Sequence, residues 1–139
     1  MATRTDFVQP QAGSQGFART NKTFGRRVTM LAADLVTANV VEAFMVPAGF
    51  TVTGIIAVAT DMDTNGSPTL ALSVGDSGSS TRHLSSSNIG QAGTSTQTLA
   101  STGLLYTYTA DTKILVTATT GSATAAAGTL DLYLTGFMQ

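Results

Sequence analysis

His83 is the one histidine in the chain, and it stands among hydroxyls. Ser79, Ser80, Ser85, Ser86 and Ser87 lie within four residues of it, and Asp76 lies seven residues upstream. A histidine with serines and a carboxylate is the raw material of nucleophilic hydrolysis, in which the imidazole takes a hydroxyl proton and the carboxylate orients the ring. That chemistry also needs a framed nucleophile, and no Gly-x-Ser-x-Gly elbow is present. Serine-rich polar stretches are ordinary loops, so no catalytic residue is assigned and the chain is read as a non-enzyme. A second cluster, Asp61-x-Asp63-x-Asn65-Gly66, has the alternating oxygens that open a calcium-binding EF-hand loop. The position that should close it with a bidentate glutamate is Leu72, so an EF-hand is excluded and the stretch is read as a turn. There is no cysteine, no phosphate-cradling Gly-rich loop and no metal-spaced histidine set. No metal and no cofactor is expected.

The elements around these residues read as strands. After Pro47-Ala48-Gly49, residues Phe50, Val52, Gly54, Ile56 and Val58 alternate with Thr51, Thr53, Ile55, Ala57 and Ala59. A period of two in β-branched and aromatic types fits a half-buried pleated strand. Asn65-Gly66 predicts a tight turn, and Leu70, Leu72 and Val74 continue the alternation, so a hairpin over Phe44–Val74 is expected. Further strands are read around 27–31, 40–46, 82–84, 104–108, 113–119 and 129–137, with a helical turn over Ala32–Leu35. Seven or eight short strands without a long helix predict an all-β chain, an antiparallel β-sandwich of jelly-roll type.

The basic residues gather at one end. Arg4, Arg19, Lys22, Arg26 and Arg27 are five of the seven Lys and Arg residues, and Asp6 alone opposes them there. The first 25 residues have no helical or strand period, but Phe7, Phe17 and Phe24 punctuate them. Residues 1–25 are therefore read as an extended N-terminal arm, able to reach on the order of 80 Å, and residues 26–139 as the sandwich body. Aromatic anchors spaced between cations suit a segment that orders on an acidic partner surface. The candidate contact residues are Arg4, Phe7, Phe17, Arg19, Lys22, Phe24, Arg26 and Arg27.

Composition points the same way. Of the 139 residues 42% are hydrophobic and only 11% are charged, so the surface must be built largely from Thr, Ser, Ala and Gly. Such faces suit broad contact with protein. The net charge of −1 does not favour nucleic acid, and no run approaches the roughly 18 apolar residues of a membrane span. The opening residues MATRTDFVQPQ lack the apolar run of a signal peptide, so synthesis in the cytoplasm is expected.

Three stretches carry a resemblance: Val46-Pro47-Ala48-Gly49-Phe50-x-Val52-x-Gly54, Thr60 through Asp76, and Tyr108-Thr109-Ala110-Asp111-Thr112-x-Ile114-x-Val116-Thr117. Over about two-thirds of its length the chain resembles head decoration, or cement, proteins of tailed bacteriophages, including the jelly-roll cement protein of a Bordetella phage. The resemblance implies a structural virion protein on the outside of an icosahedral capsid. It further implies that the protein clamps neighbouring major capsid protein subunits and pairs with itself as a homodimer. The arm matches no motif of that family, and its contact role is inferred from its residues. A glycan-binding jelly-roll module of a phage head or tail fibre is the alternative, and it would need Tyr106, Tyr108 or Tyr133 exposed beside polar loops.

Overall fold

A computed structural model of the chain describes residues 21–138. Eight strands follow in order: β1 (Asn21–Met30), β2 (Val40–Val46), β3 (Phe50–Ala59), β4 (Ala71–Gly75), β5 (Leu84–Ser87), β6 (Ser95–Thr96), β7 (Thr112–Thr120) and β8 (Gly128–Met138). A single 3-10 turn, Ala32–Leu35, joins β1 to β2. One sheet has the order β1-β8-β3-β6 and the other β2-β7-β4-β5, and all pairings are antiparallel. The first strand thus pairs with the last, the second with the seventh, the third with the sixth and the fourth with the fifth. That is a chain doubled back on itself and rolled into two facing sheets, the jelly roll. No helix among the described residues is long and apolar enough to cross a membrane.

The core lies between the sheets. Leu130, Leu132 and Leu134 of β8 face inward, as their alternation predicts, and so do Ile114, Val116 and Ala118 of β7. β3 departs from the simple alternation. Its register slips between Val52 and Gly54, so that Thr53 is an extra residue against β8. A bulge of this kind exchanges the faces of everything beyond it. Phe50 and Val52 are buried before the bulge, and Ile55, Ala57 and Ala59 after it, while Ile56 and Val58 turn outward. Gly136 sits opposite the distortion, where a Cβ would fall 1.9 Å from the Thr51 carbonyl oxygen, so no other residue fits without moving the strand.

The expected hairpin over Phe44–Val74 is corrected. β3 and β4 belong to different sheets, and residues 60–70 cross from one to the other. Asn-Gly specifies a local turn and not the partner of the strand that follows it. β4 needs cover on both faces, since Leu72, Ser73, Val74 and Gly75 are all buried, and a two-stranded ribbon cannot supply that. Residues 104–108 likewise form no regular strand. They lie against the start of β3 through Leu105 N–H to Val52 O (2.7 Å), Val52 N–H to Tyr106 O (3.0 Å) and Tyr108 N–H to Phe50 O (2.9 Å). At the N-terminal end β1 opens at Asn21, so residues 21–25, placed in the arm by their composition, run in the sheet beside β8.

Candidate functional site

His83 is fully buried where the β4–β5 connection meets the segment 100–108. Its Nε2 lies 2.6 Å from the Tyr108 hydroxyl, and that hydroxyl donates to Asp76 Oδ2 at 2.8 Å. Because the phenol has one proton and gives it to Asp76, His83 Nε2 must be the donor to Tyr108. His83 Nδ1 is then a bare lone pair, and it is the one buried side-chain nitrogen or oxygen among the described residues without a partner. Asp76 also holds Arg82, through Nε at 2.6 Å and a second guanidinium nitrogen at 3.2 Å, and accepts the Gly78 and Ser79 N–H groups. The Arg82 guanidinium lies 3.9 Å above the Tyr106 ring, which meets Tyr108 edge-on.

Each ionisation follows from this geometry. Burial disfavours imidazolium and lowers the His83 pKa to about 4, with Asp76 opposing and Arg82 reinforcing the shift. Burial alone would raise the Asp76 carboxyl, but the bonds from Arg82, Tyr108 and Ser79 outweigh it and hold the group below its ordinary value. Tyr108 is pushed up, first by burial and then by its bond to the carboxylate. The ordering Arg82–Asp76–Tyr108–His83 puts a phenol where a hydrolytic triad would need direct contact between carboxylate and imidazole. Chemically this chain is a brace that ties two loops together.

The brace predicts an acid response. In the fold His83 ionises only near pH 4, whereas in the unfolded chain it ionises near 6.5, so the unfolded chain binds more protons between those values. Its contribution to stability is complete above pH 6.5 and disappears as pH falls to about 4, a change on the order of 3 kcal/mol. Thermal midpoints measured from pH 7.5 to 4 are expected to fall along this course, and His83→Gln is expected to flatten the slope. An unchanged slope in the variant would assign the acid response to other groups.

The second cluster is also inverted from its sequence appearance. Asp63 is 1% exposed and points inward. Its Oδ2 accepts the N–H groups of Thr69 (2.7 Å), Leu70 (3.1 Å) and Ala123 (2.9 Å), and its Oδ1 accepts Thr124 (2.9 Å) and Asn65 (3.4 Å). Burial opposes the charge, but the backbone donors outweigh it and hold the carboxyl well below the usual range. The oxygens that a cation would need are already saturated by N–H groups. Asp61 and Asn65 are engaged too, each accepting a backbone N–H two residues on. Among the described residues no three His, Cys, Asp or Glu side chains gather as a metal site.

Of the candidate contact residues, Arg4, Phe7, Phe17 and Arg19 lie outside the described residues. Lys22, Phe24, Arg26 and Arg27 fall on β1, an outer strand of its sheet. Lys22 and Arg26 are exposed. Phe24 is half-buried: its ring meets Phe50 edge-on at 4.9 Å and packs against the core. Arg27 is engaged within the chain by Asp131, its register partner on β8, at 2.7 and 2.9 Å. Of the tyrosines, Tyr108 is buried, and Tyr106 and Tyr133 are half-buried. No open aromatic platform results. Sequence reasoning missed the Tyr108 and Asp63 roles, because both depend on loops distant in the chain. It also passed over Leu104 and Leu105, whose 55% and 60% exposure places them among the most open apolar side chains.

The fold and these sites define a compact jelly-roll module whose polar groups brace loops. Comparison with solved structures says where such a module is found. The chain matches a chain of the cyanophage Pam1 capsid asymmetric unit with 34% identity and a TM-score of 0.80, covering 99% of both chains. It belongs to the same family as that chain and is a phage capsid-related structural protein. Two more distant structures share the fold. One is a chain of the Ralstonia phage GP4 capsid, with 24% identity, a TM-score of 0.71 and coverage of 98% of this chain and 91% of that one. The other is a chain of the capsid of Helicobacter pylori bacteriophage KHP30, with 14% identity, a TM-score of 0.51 and coverage of 84% and 93%. No family model and no curated protein matches the chain.

Proposed function

We propose that this chain is a decoration protein that binds the outer surface of an icosahedral phage capsid and cements neighbouring major capsid protein subunits. The observation that carries the reading is the end-to-end match to a phage capsid chain, with 99% of both chains covered. The physical reading supports it. A cement protein needs a stiff body, contact faces with little charge to desolvate, and a means of crossing a seam between subunits. Braced loops around Asp63 and Asp76 supply the stiffness, and a chain with 11% charged residues supplies the faces. Residues 1–20 precede β1 in the sequence and carry Arg4, Phe7, Phe17 and Arg19, which we assign with Lys22 and Arg26 to the shell contact. Many copies on one shell turn modest single contacts into a large gain in stability for the particle. Self-association of the body into dimers belongs to the same reading.

Co-sedimentation with undecorated shells of the same phage tests it. Full-length protein is expected to saturate the shells, and a chain beginning at Asn21 is expected to bind much more weakly. Raising the salt from 50 to 500 mM is expected to release the full-length protein, because contacts of exposed cations are screened. Failure of the full-length protein to bind at any salt would reject the cement function. Equal binding by both forms would keep the function and remove the arm from it.

A further inference from the structure

Leu104 and Leu105 form an exposed apolar knuckle at the end of the turn 101–105, and the backbone beneath it is unusual. Leu105 has φ +59°, in the left-handed region that side chains larger than glycine's avoid. The strain is held from several sides. Leu105 N–H bonds Val52 O at 2.7 Å, Tyr106 N–H bonds Gly103 O at 3.2 Å, and Thr102 Oγ1 bonds Arg82 O at 2.8 Å. Gly103 packs so closely on the His83 brace that a Cβ there would lie 2.5 Å from His83 Nδ1. An unfavourable conformation fixed by so much of the fold, for a leucine that then points into water, is a pattern associated with binding sites.

We infer that Leu104 and Leu105 are a rigid anchor that seats in an apolar socket on the capsid shell. The inference rests on the cement reading and names the point of contact. Three features favour the shell over other occupants. The row Asn21–Phe137–Thr51–Thr107 crosses one sheet, so the point where residues 1–20 join the body lies about 14 Å from the base of the knuckle. Both proposed contacts therefore leave the same end of the sandwich. The segment Leu99–Ala110 contains no charged residue, so the knuckle itself brings no ion into the contact. A convex two-residue tip is not self-complementary and calls for a concave partner, whereas a two-fold pairing of copies needs matching patches.

The test uses full-length Leu105→Gly and Leu104→Lys with undecorated shells. Glycine removes the side chain and accepts the positive φ, so Leu105→Gly is expected to melt no lower than the parent while binding shells about 10-fold more weakly or worse. Leu104→Lys, at a residue with ordinary φ, is expected to reduce binding at least as much with an unchanged melting temperature. Undiminished shell binding by both variants would overturn the anchor and leave the cement function standing. Altered self-association with normal shell binding would also overturn it, as the knuckle would then face a second copy or the chain's own arm. Lower melting temperatures in both variants would assign the leucines to the fold instead. Failure of the parent protein to bind shells would remove the cement reading, and the anchor with it.

Discussion

Asp63→Ala is expected to lower the thermal midpoint by roughly 10 °C or more, the largest effect of any single substitution outside the apolar core. Five backbone N–H groups, from residues 65, 69, 70, 123 and 124, converge on this one carboxylate. Removing it leaves donors inside the protein without acceptors, which costs more than the same bonds contributed when made. The damage spreads because the carboxylate joins the crossing from β3 to β4 with the connection from β7 to β8, 60 residues apart. Asp63→Asn is the sharper variant. It keeps the shape but presents an amide NH₂ to N–H groups that need an acceptor, so it is expected to fall nearly as far. The carboxyl titrates well below its ordinary value, so its contribution is present above pH 4 and is lost only as pH falls below that. Differential scanning calorimetry at pH 7 decides the matter. A loss of only a degree or two in both variants would mean the loops are held by their other contacts.

Tyr108→Phe is expected to cost about 2–3 kcal/mol, although only one oxygen atom is removed. The ring is 3% exposed and its packing is unchanged by the substitution, so the effect isolates the hydroxyl. Asp76 keeps Arg82, Gly78 and Ser79 as donors. His83 has no such reserve: its Nε2–H loses its acceptor while its Nδ1 is already without a partner. Urea unfolding should show a lower midpoint with an unchanged slope, because no additional surface is exposed. Since this brace supports the turn that carries Leu104 and Leu105, shell binding should weaken in the same variant. A stability loss below about 0.5 kcal/mol would show that the His83 site tolerates an unpaired imidazole.

Much of the architecture was legible from local pattern. The strand at Val40–Val46 ending at Pro47, the alternation over Thr129–Phe137, the helical turn at Ala32–Leu35, and the lack of any long apolar or helical run depend on neighbours a few residues apart. Those interactions are encoded where they act. Together with strand count, they were enough for an all-β sandwich of jelly-roll type. The pairing of β3 was not legible, because Asn65-Gly66 describes how the chain turns and not where the next strand lands. The single alternation read along β3 fails from Ile55 onward, because a bulge at Thr53 adds one residue and exchanges the faces.

Sites were less legible than strands. His83 with its serines, and Asp61-x-Asp63-x-Asn65, looked like chemistry because reactive residues were adjacent in sequence. Only the tertiary structure reveals that Tyr108, 25 residues from His83, takes the place of a serine, and that loop N–H groups 60 residues away fill the oxygens of Asp63. The edge-on contact of Phe24 with Phe50 was hidden for the same reason, its partner being remote in the chain. By itself the sequence determined composition, strand periods and the one-sided charge of the N-terminal residues, all of which are sums or short-range patterns. Tertiary structure decided strand partners, the face each side chain shows and which polar groups are already paired, since each is set by contacts between residues far apart in the chain.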